Sequence, residues 1–240
     1  QGIQEWTVPA TGTYRIEAWG AGETTKTTGK GARMRGDFNM TINTTLKIVV
    51  GQTGENSGGG HGGTFIANIS NQPLLVAGGG AGVTVFSSNL SNGTIDQNGS
   101  DGNLGRGGSN GQGGHSTEFN TYGGGGGGGF DSNGTEGTNY SGKGIAFVFG
   151  ALGGAKKDSS ANNHKDGGFG GGGAGVSNNE PAGGGGFSGG GGGGYHGPGQ
   201  IHGSDRFAGG GGSHNAGTNQ SNTAGANSGH GKVTITFVGN

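Results

Sequence analysis

Cysteine is absent from this 240-residue chain. Disulfides and thiolate metal sites are therefore excluded, and a folded state must rest on backbone hydrogen bonds and burial. Proline is scarce, at four residues. That rules out collagen despite 70 glycines, which also do not recur at every third position. Charged residues are 11% of the chain and the formal net charge is −1. No basic patch exists to neutralise phosphates, so no nucleic-acid partner is expected. No apolar run approaches the ~20 residues needed to cross a bilayer, so no membrane span is expected. No leader is visible at Gln1, which is the start expected of a processed, mature chain.

Apolar residues are 26% of the chain and are gathered into short alternating runs. Trp6 and Val8 lead into Pro9-Ala10-Thr11-Gly12, after which Tyr14, Ile16 and Ala18 share one face. This pair reads as a hairpin. Further strand-like runs are Met34 to Ile42, then Leu46, Ile48 and Val50, then Thr64–Ile69, Leu74–Ala77, Val83–Phe86 and Ile145–Phe149. The chain closes on Val233, Ile235 and Phe237 alternating with polar residues. No window carries a 3.6-residue period, and glycine costs a helix about 1 kcal/mol per residue. The regular part is all-β, and runs at both termini predict that the two ends pair within one sandwich.

The glycines form a second system. Runs occur at Gly58–Gly60, Gly78–Gly80, Gly123–Gly129, Gly170–Gly173, Gly183–Gly186, Gly189–Gly194 and Gly209–Gly212, punctuated by Tyr122, Phe130, Phe169, Phe187, Tyr195 and Phe207. Two readings compete. One is a floppy linker, because glycine loses the most entropy on ordering. The other is a bundle of extended threefold helices, side by side, that exchange backbone hydrogen bonds laterally. The longest runs would each span about 20 Å at ~3.1 Å per residue. The segments Ser177-Asn178-Asn179-Glu180-Pro181 and Gly197-Pro198-Gly199 would reverse direction between helices. The aromatics read as packing against the glycine runs rather than as a sugar platform. One domain, 1–240, is expected. Its β-framework would lie mainly in 3–86, 145–150 and 231–239, and its polyglycine region mainly in 100–144 and 153–230.

Nine N-x-S/T sequons are present: Asn39, Asn43, Asn68, Asn89, Asn92, Asn98, Asn133, Asn139 and Asn219. In Phe38-Asn39-Met40-Thr41-Ile42-Asn43 the apolar residues alternate with the asparagines. A strand here would bury Phe38, Met40 and Ile42 and turn both asparagines to solvent, where an N-glycan needs them.

The segment Trp6-Thr7-Val8-Pro9-Ala10-Thr11-Gly12-Thr13-Tyr14-Arg15-Ile16-Glu17-Ala18-Trp19-Gly20-Ala21-Gly22 resembles the start of the glycine-rich extracellular domain of the anaplastic lymphoma kinase and leukocyte tyrosine kinase receptors. Leu75-Val76-Ala77-Gly78-Gly79-Gly80-Ala81-Gly82, and Gly167-Gly168-Phe169-Gly170 through Gly189–Gly194-Tyr195, are similar to later parts of that domain. The resemblance implies a jelly-roll-like β-sandwich, of the tumour necrosis factor kind, with an inserted polyglycine II helix bundle. The receptors' cysteines, growth-factor-like module, membrane span and kinase are missing from this chain, so receptor signalling does not carry over.

Motifs for catalysis are weak. Gly137 to Lys143 fits G-x-x-x-x-G-K, but Gly144 stands where a magnesium-binding Ser or Thr belongs. The histidines His61, His115, His164, His196, His202, His214 and His230 form no recognised zinc spacing; His196 and His202 are the closest pair to a metal site. Asp96, Asn98, Ser100 and Asp101 supply hard oxygens for calcium, but Gly107 stands where the bidentate Glu belongs. No enzyme activity, cofactor or metal is expected beyond covalent N-glycans. The expectation is an extracellular or cell-surface structural protein that self-associates, as a homo-oligomer or filament, through strand edges or an added terminal strand. The alternatives are a receptor-ectodomain or adhesin binding module and an ice-binding protein.

Overall fold

The computed structural model of the chain describes residues 2–55, 58–84, 88–116, 122–137, 141–157, 163–176, 180–195 and 206–239. Thirteen strands are formed among the described residues. The first six are β1 (Gln4–Thr7), β2 (Gly12–Trp19), β3 (Gly31–Met40), β4 (Thr45–Val49), β5 (Thr64–Asn68) and β6 (Pro73–Ala77). Four two-residue strands follow in the glycine-rich part: β7 (Tyr122–Gly123), β8 (His164–Lys165), β9 (Gly175–Val176) and β10 (Gly194–Tyr195). The chain ends with β11 (His214–Asn215), β12 (Thr223–Asn227) and β13 (Lys232–Gly239). Among the described residues the only helical pieces are 3-10 turns at Asn89–Ser91 and Phe147–Phe149.

Two antiparallel sheets face one another. Their strand orders are β1-β4-β5-β6-β11 and β12-β3-β2-β13. Alternation decides what each strand buries. Tyr14, Ile16 and Ala18 on β2, with Met34, Phe38 and Met40 on β3, meet Leu46, Ile48, Ile66, Leu75 and Ala77 of the other sheet in one core. The residues between them in the five-stranded sheet, Val49, Phe65, Ala67 and Val76, point the opposite way. There they pack on Phe130, Phe147, Ala151 and Phe169 from the glycine-rich part. The five-stranded sheet is thus covered on both faces, which is why β5 reads as the nearly unbroken apolar run Phe65-Ile66-Ala67.

The first two strands are not a hairpin. β1 pairs with β4 and β2 pairs with β3 and β13, so the Pro9–Gly12 turn carries the chain from one sheet to the other. Trp6 and Tyr14 then meet across the core, with ring centroids 5.7 Å apart, edge to face. Facing sheets bury both apolar faces at once, which a flat hairpin would not. The C-terminal strand β13 pairs with β2 over Lys232–Gly239, whereas β1 sits in the opposite sheet. Of the other runs, Met34 to Ile42 ends as a strand at Met40. Ile42 is 49% exposed and Asn43 takes a left-handed turn conformation, φ 67°. Ile145–Phe149 is not a strand: Phe147–Phe149 is a 3-10 turn that Phe147 anchors in the second core. Val83 and Thr84 lie outside any strand, and 85–86 fall outside the described residues. So do the expected reversals at 177–179 and 197–199.

The glycine runs are buried, and their amides are satisfied by neighbouring runs. Successive amides from Gly124 to Phe130 donate in three directions that repeat every third residue. Gly124, Gly127 and Phe130 donate to Gly193, Gly190 and Phe187; Gly125 and Gly128 donate to Ala174 and Gly171; Gly126 and Gly129 donate to Thr135 and Ser132. The next long run repeats the pattern. Gly189 and Gly192 donate to Gln112 and His115, and Gly190 and Gly193 to Gly184 and Pro181. All these bonds are 2.7–3.0 Å. Backbones approach so closely that a Cβ at Gly127 would overlap the Gly184 carbonyl, and one at Gly190 the Gly209 carbonyl. Glycine is therefore dictated here by space, not by turn geometry.

Candidate functional site: strand edges, sequons and a buried polar pair

The four-stranded sheet ends on β13, whose one strand partner among the described residues is β2. Its eight residues, KVTITFVG, carry a single charge, Lys232, at the start. Val233 and Ile235 pack on the core, but Phe237 and Val238 are each about half exposed. Long apolar edges of this kind are open to pairing with another chain unless charge, proline or a covering element blocks them. At the other sheet, β1 is a short edge of four residues with only Trp6 packed inward.

The sequons fall into three groups. Asn39, Asn43, Asn89, Asn98 and Asn219 are exposed. Asn68, Asn92 and Asn133 are half-buried and their side chains are used within the fold. Asn92 Oδ1 accepts the Lys30 amide at 2.9 Å, Asn133 Oδ1 accepts the Ala146 amide at 2.9 Å, and Asn68 Oδ1 accepts the Gln72 amide at 2.9 Å. Asn139 lies outside the described residues. Asn219 is exposed yet engaged, since its Nδ2 donates to Asp37 Oδ2 at 3.1 Å. Asp37 also takes a two-pronged pairing from Arg15 at 2.8 and 2.9 Å. The Arg15 pairing and the Asn219 bond hold the Asp37 carboxyl below its ordinary range.

The main buried ionisable pair is His61 and Glu23, both 2% exposed. His61 Nδ1 accepts the Gly54 amide at 3.1 Å, so the ring proton sits on Nε2, which has no partner among the described residues. Burial pushes His61 down to about 4, against the pull of Glu23 and with the help of Lys30. Burial works to raise the Glu23 carboxyl. Hydrogen bonds from the Thr24 and Thr25 amides and the Thr25 hydroxyl, with His61 nearby, outweigh it and hold the group below its usual value. The pair closes the seam where the sandwich meets the glycine runs: the His61 amide donates to Gly80, and its carbonyl accepts from Gly185.

The remaining sequence candidates do not converge. Lys143 pairs with Glu136 at 3.7 Å rather than standing over a phosphate-binding loop. Asp101 spends an oxygen on the Gly107 amide at 2.8 Å, and the Asp96 carboxyl lies near the Thr94 hydroxyl. No group of three or more His, Asp or Glu that could hold a metal ion occurs among the described residues. His214 stacks on Phe187, 4.9 Å between centroids, and the His230 ring accepts the Thr53 amide at 3.2 Å. His196 and His202 lie outside the described residues.

Sequence reasoning missed the loop from Ile145 to Leu152. The Ile145 amide donates to Leu152 and the Ala151 amide to Ala146, closing a tight protrusion with positive φ at Gly150 and Ala151. Its tip presents Phe149, 64% exposed, and Leu152, 53% exposed. The signal was there in Gly150, which breaks the apolar run.

No protein-family model matches the chain.

Proposed function

We propose that this chain is a non-catalytic, extracellular, N-glycosylated structural protein that self-associates through its sheet edges. The observation that carries the reading is β13. A second copy laid antiparallel against it, centred on Ile235, would set Val233 opposite Phe237 on one face and Thr234 opposite Thr236 on the other. Apolar pairs and threonine pairs are favourable cross-strand neighbours. Lys232 would face Val238, so no like charges would oppose.

In this reading the glycine runs are polyglycine II helices, bundled and inserted in a jelly-roll-like sandwich, as the receptor resemblance implies. The three-direction repeat of lateral hydrogen bonds supports it. A rigid bundle keeps the edge strands in fixed relative positions, which a repeating assembly requires. The exposed sequons would keep the remaining surface hydrated.

Electron microscopy of native, purified protein tests the reading. Ordered oligomers or filaments are expected, and lysine at Phe237 and Val238 should abolish them while leaving the monomer folded. Dispersed monomers alone would overturn it. The exposed Phe149 and Leu152 tip favours a second reading, an adhesin or ectodomain binding module active as a monomer. Ice binding has less support, because the glycine runs offer no open flat face among the described residues.

A further inference from the structure

One stretch of strand edge in the four-stranded sheet is bare and faces an apolar groove. Along β3 the odd-numbered residues turn their backbone groups away from β2. The Arg35 carbonyl accepts the Ser221 amide, and Asp37 exchanges two bonds with Thr218, at 2.8 and 2.9 Å. The pairing stops there. Two residues on, Asn39 turns its N–H and C=O to the same side. Neither has a partner on that side among the described residues. A cavity of about 440 Å³ opens here, and it touches all five residues of 37–41. Consecutive strand residues point to opposite faces, so a cavity that meets all five looks onto the strand's edge. The other edge of β3 is taken by β2. Phe38, Met40, Leu46, Leu74 and Ala216 supply the apolar lining. The one ionisable side chain in the lining, Asp37, is already neutralised by Arg15. Ile42 and Ile69, each about half exposed, directly follow the lining residues Thr41 and Asn68.

We infer that this edge binds an extended, uncharged peptide with apolar residues at alternate positions, added to β3 as a further antiparallel strand. The peptide residue opposite Asn39 would exchange both backbone bonds with it, as Thr218 does with Asp37. Its side chain would lie with that of Asn39 on the outer face of the sheet. The residues before and after it, about 7 Å apart along the strand, would turn inward onto Met40, Leu46 and Leu74. The recognised pattern is therefore apolar-any-apolar. Main-chain bonds give affinity, and the groove selects the side chains. Two features choose a peptide over other occupants. Asn39 offers a donor and an acceptor side by side, which a lipid chain would cover and leave unpaired. No free charge faces the groove, so a charged occupant would lose water without gaining a partner. The inference does not depend on self-association through β13, which lies beyond β2 at the opposite edge of the sheet.

The probe is the neutral peptide acetyl-Ser-Leu-Thr-Leu-Ser-amide, titrated into the chain and followed through its backbone amide resonances. Those of Asn39, Thr41 and Leu74 should shift saturably. Asn39 is a sequon asparagine, so the titration is run before and after enzymatic removal of N-glycans. N-methylation of the central threonine removes the N–H that would donate to the Asn39 carbonyl, and should weaken binding at least tenfold. Reordering the peptide to Ser-Leu-Leu-Thr-Ser turns one leucine outward and should do the same. Leu74→Lys, which puts a charge in the groove, should also weaken binding at least tenfold. The inference is overturned by no saturable shift in either form, by shifts confined to other surfaces, by equal affinity for either altered peptide, or by unchanged affinity in Leu74→Lys. Should Leu74→Lys fail to fold, the two altered peptides, which leave the protein untouched, decide the question.

Discussion

The Gly127 amide donates to the Gly190 carbonyl at 2.9 Å, and neither residue has room for a Cβ. Two bare backbones lie side by side, each supplying what the other's extended conformation leaves unmade. Buried amides must be paired, and these runs pair laterally rather than within themselves.

The first prediction follows from that pairing. Amides of 124–130 and 189–193 should exchange with solvent as slowly as those of β2 and β3, read by hydrogen exchange with mass spectrometry. Gly127→Ala should abolish the cooperative transition or lower it severely, since the Cβ meets backbone and not a movable side chain. Exchange at the rate of an unstructured peptide would mean that the glycine bundle does not exist.

The second concerns how the glycine-rich part is fastened to the five-stranded sheet. Phe147 stacks between Phe130 and Phe65, with centroids 4.7 and 5.3 Å away. Phe147→Ala should cost roughly 3–5 kcal/mol, the range for a fully buried phenylalanine truncated to alanine. Phe149→Ala, two residues on and exposed, should cost little. Denaturant titration of both variants separates anchoring from simple surface change.

The third is acid sensitivity. His61 stays neutral in the fold down to about pH 4, against an ordinary 6.5 in the unfolded chain. Above pH 6.5 neither state binds the proton and the group has no effect. As pH falls from 6.5 to 4 the unfolded chain takes up a proton that the folded chain refuses. Stability should drop by about 3 kcal/mol in that window. Glu23, depressed in the fold, acts with the same sign at lower pH, because its contribution is lost as the carboxyl protonates. His61→Gln should flatten the fall of Tm between pH 7 and pH 4. An unchanged profile would show that His61 does not drive the acid response.

The fourth has the opposite sign. Burial raises the Glu180 carboxyl to about 7, only partly offset by Arg206. The folded state then holds a proton that the unfolded state gives up, so this group destabilises as pH rises from 4.5 through 7. Glu180→Gln should raise Tm at pH 8 and leave it unchanged at pH 4.

The fifth concerns glycan occupancy. Asn39, Asn43, Asn89 and Asn98 are exposed, and the Asn39 oxygen accepts the Thr13 hydroxyl at 2.9 Å rather than a backbone amide. Asn92 and Asn133 each hold a backbone amide of another segment. Occupancy by glycopeptide mass spectrometry should be high in the first group. Asn133→Gln should lower Tm even in unglycosylated protein, whereas Asn98→Gln should not.

What was legible in the sequence was whatever alternation and composition could carry. β2 and β3 show apolar faces at period two, so their positions and buried sides followed from side-chain geometry alone; β5 and β6 are unbroken apolar runs whose positions were legible but whose two buried sides were not. The absence of α-helix among the described residues followed from the same residues and from glycine. Partner choice was not legible. Trp6 and Val8 look the same whether β1 folds back on β2 or crosses to the opposite sheet, because alternation names the buried face and not the strand that lies beside it. The strand-like run Ile145–Phe149 misled for a related reason: Phe147 is buried by Phe130 and Phe65, which are far away in sequence. The groove beside Asn39 could not be seen either, since its lining draws on Phe38, Leu74 and Ala216, far apart in sequence. The glycines lay between these cases. Composition limited them to a loose tether or a lateral bundle, and only the structure shows the described runs buried with their amides paired to distant segments. A backbone without side chains carries no pattern of its own, and its order is set entirely by its neighbours.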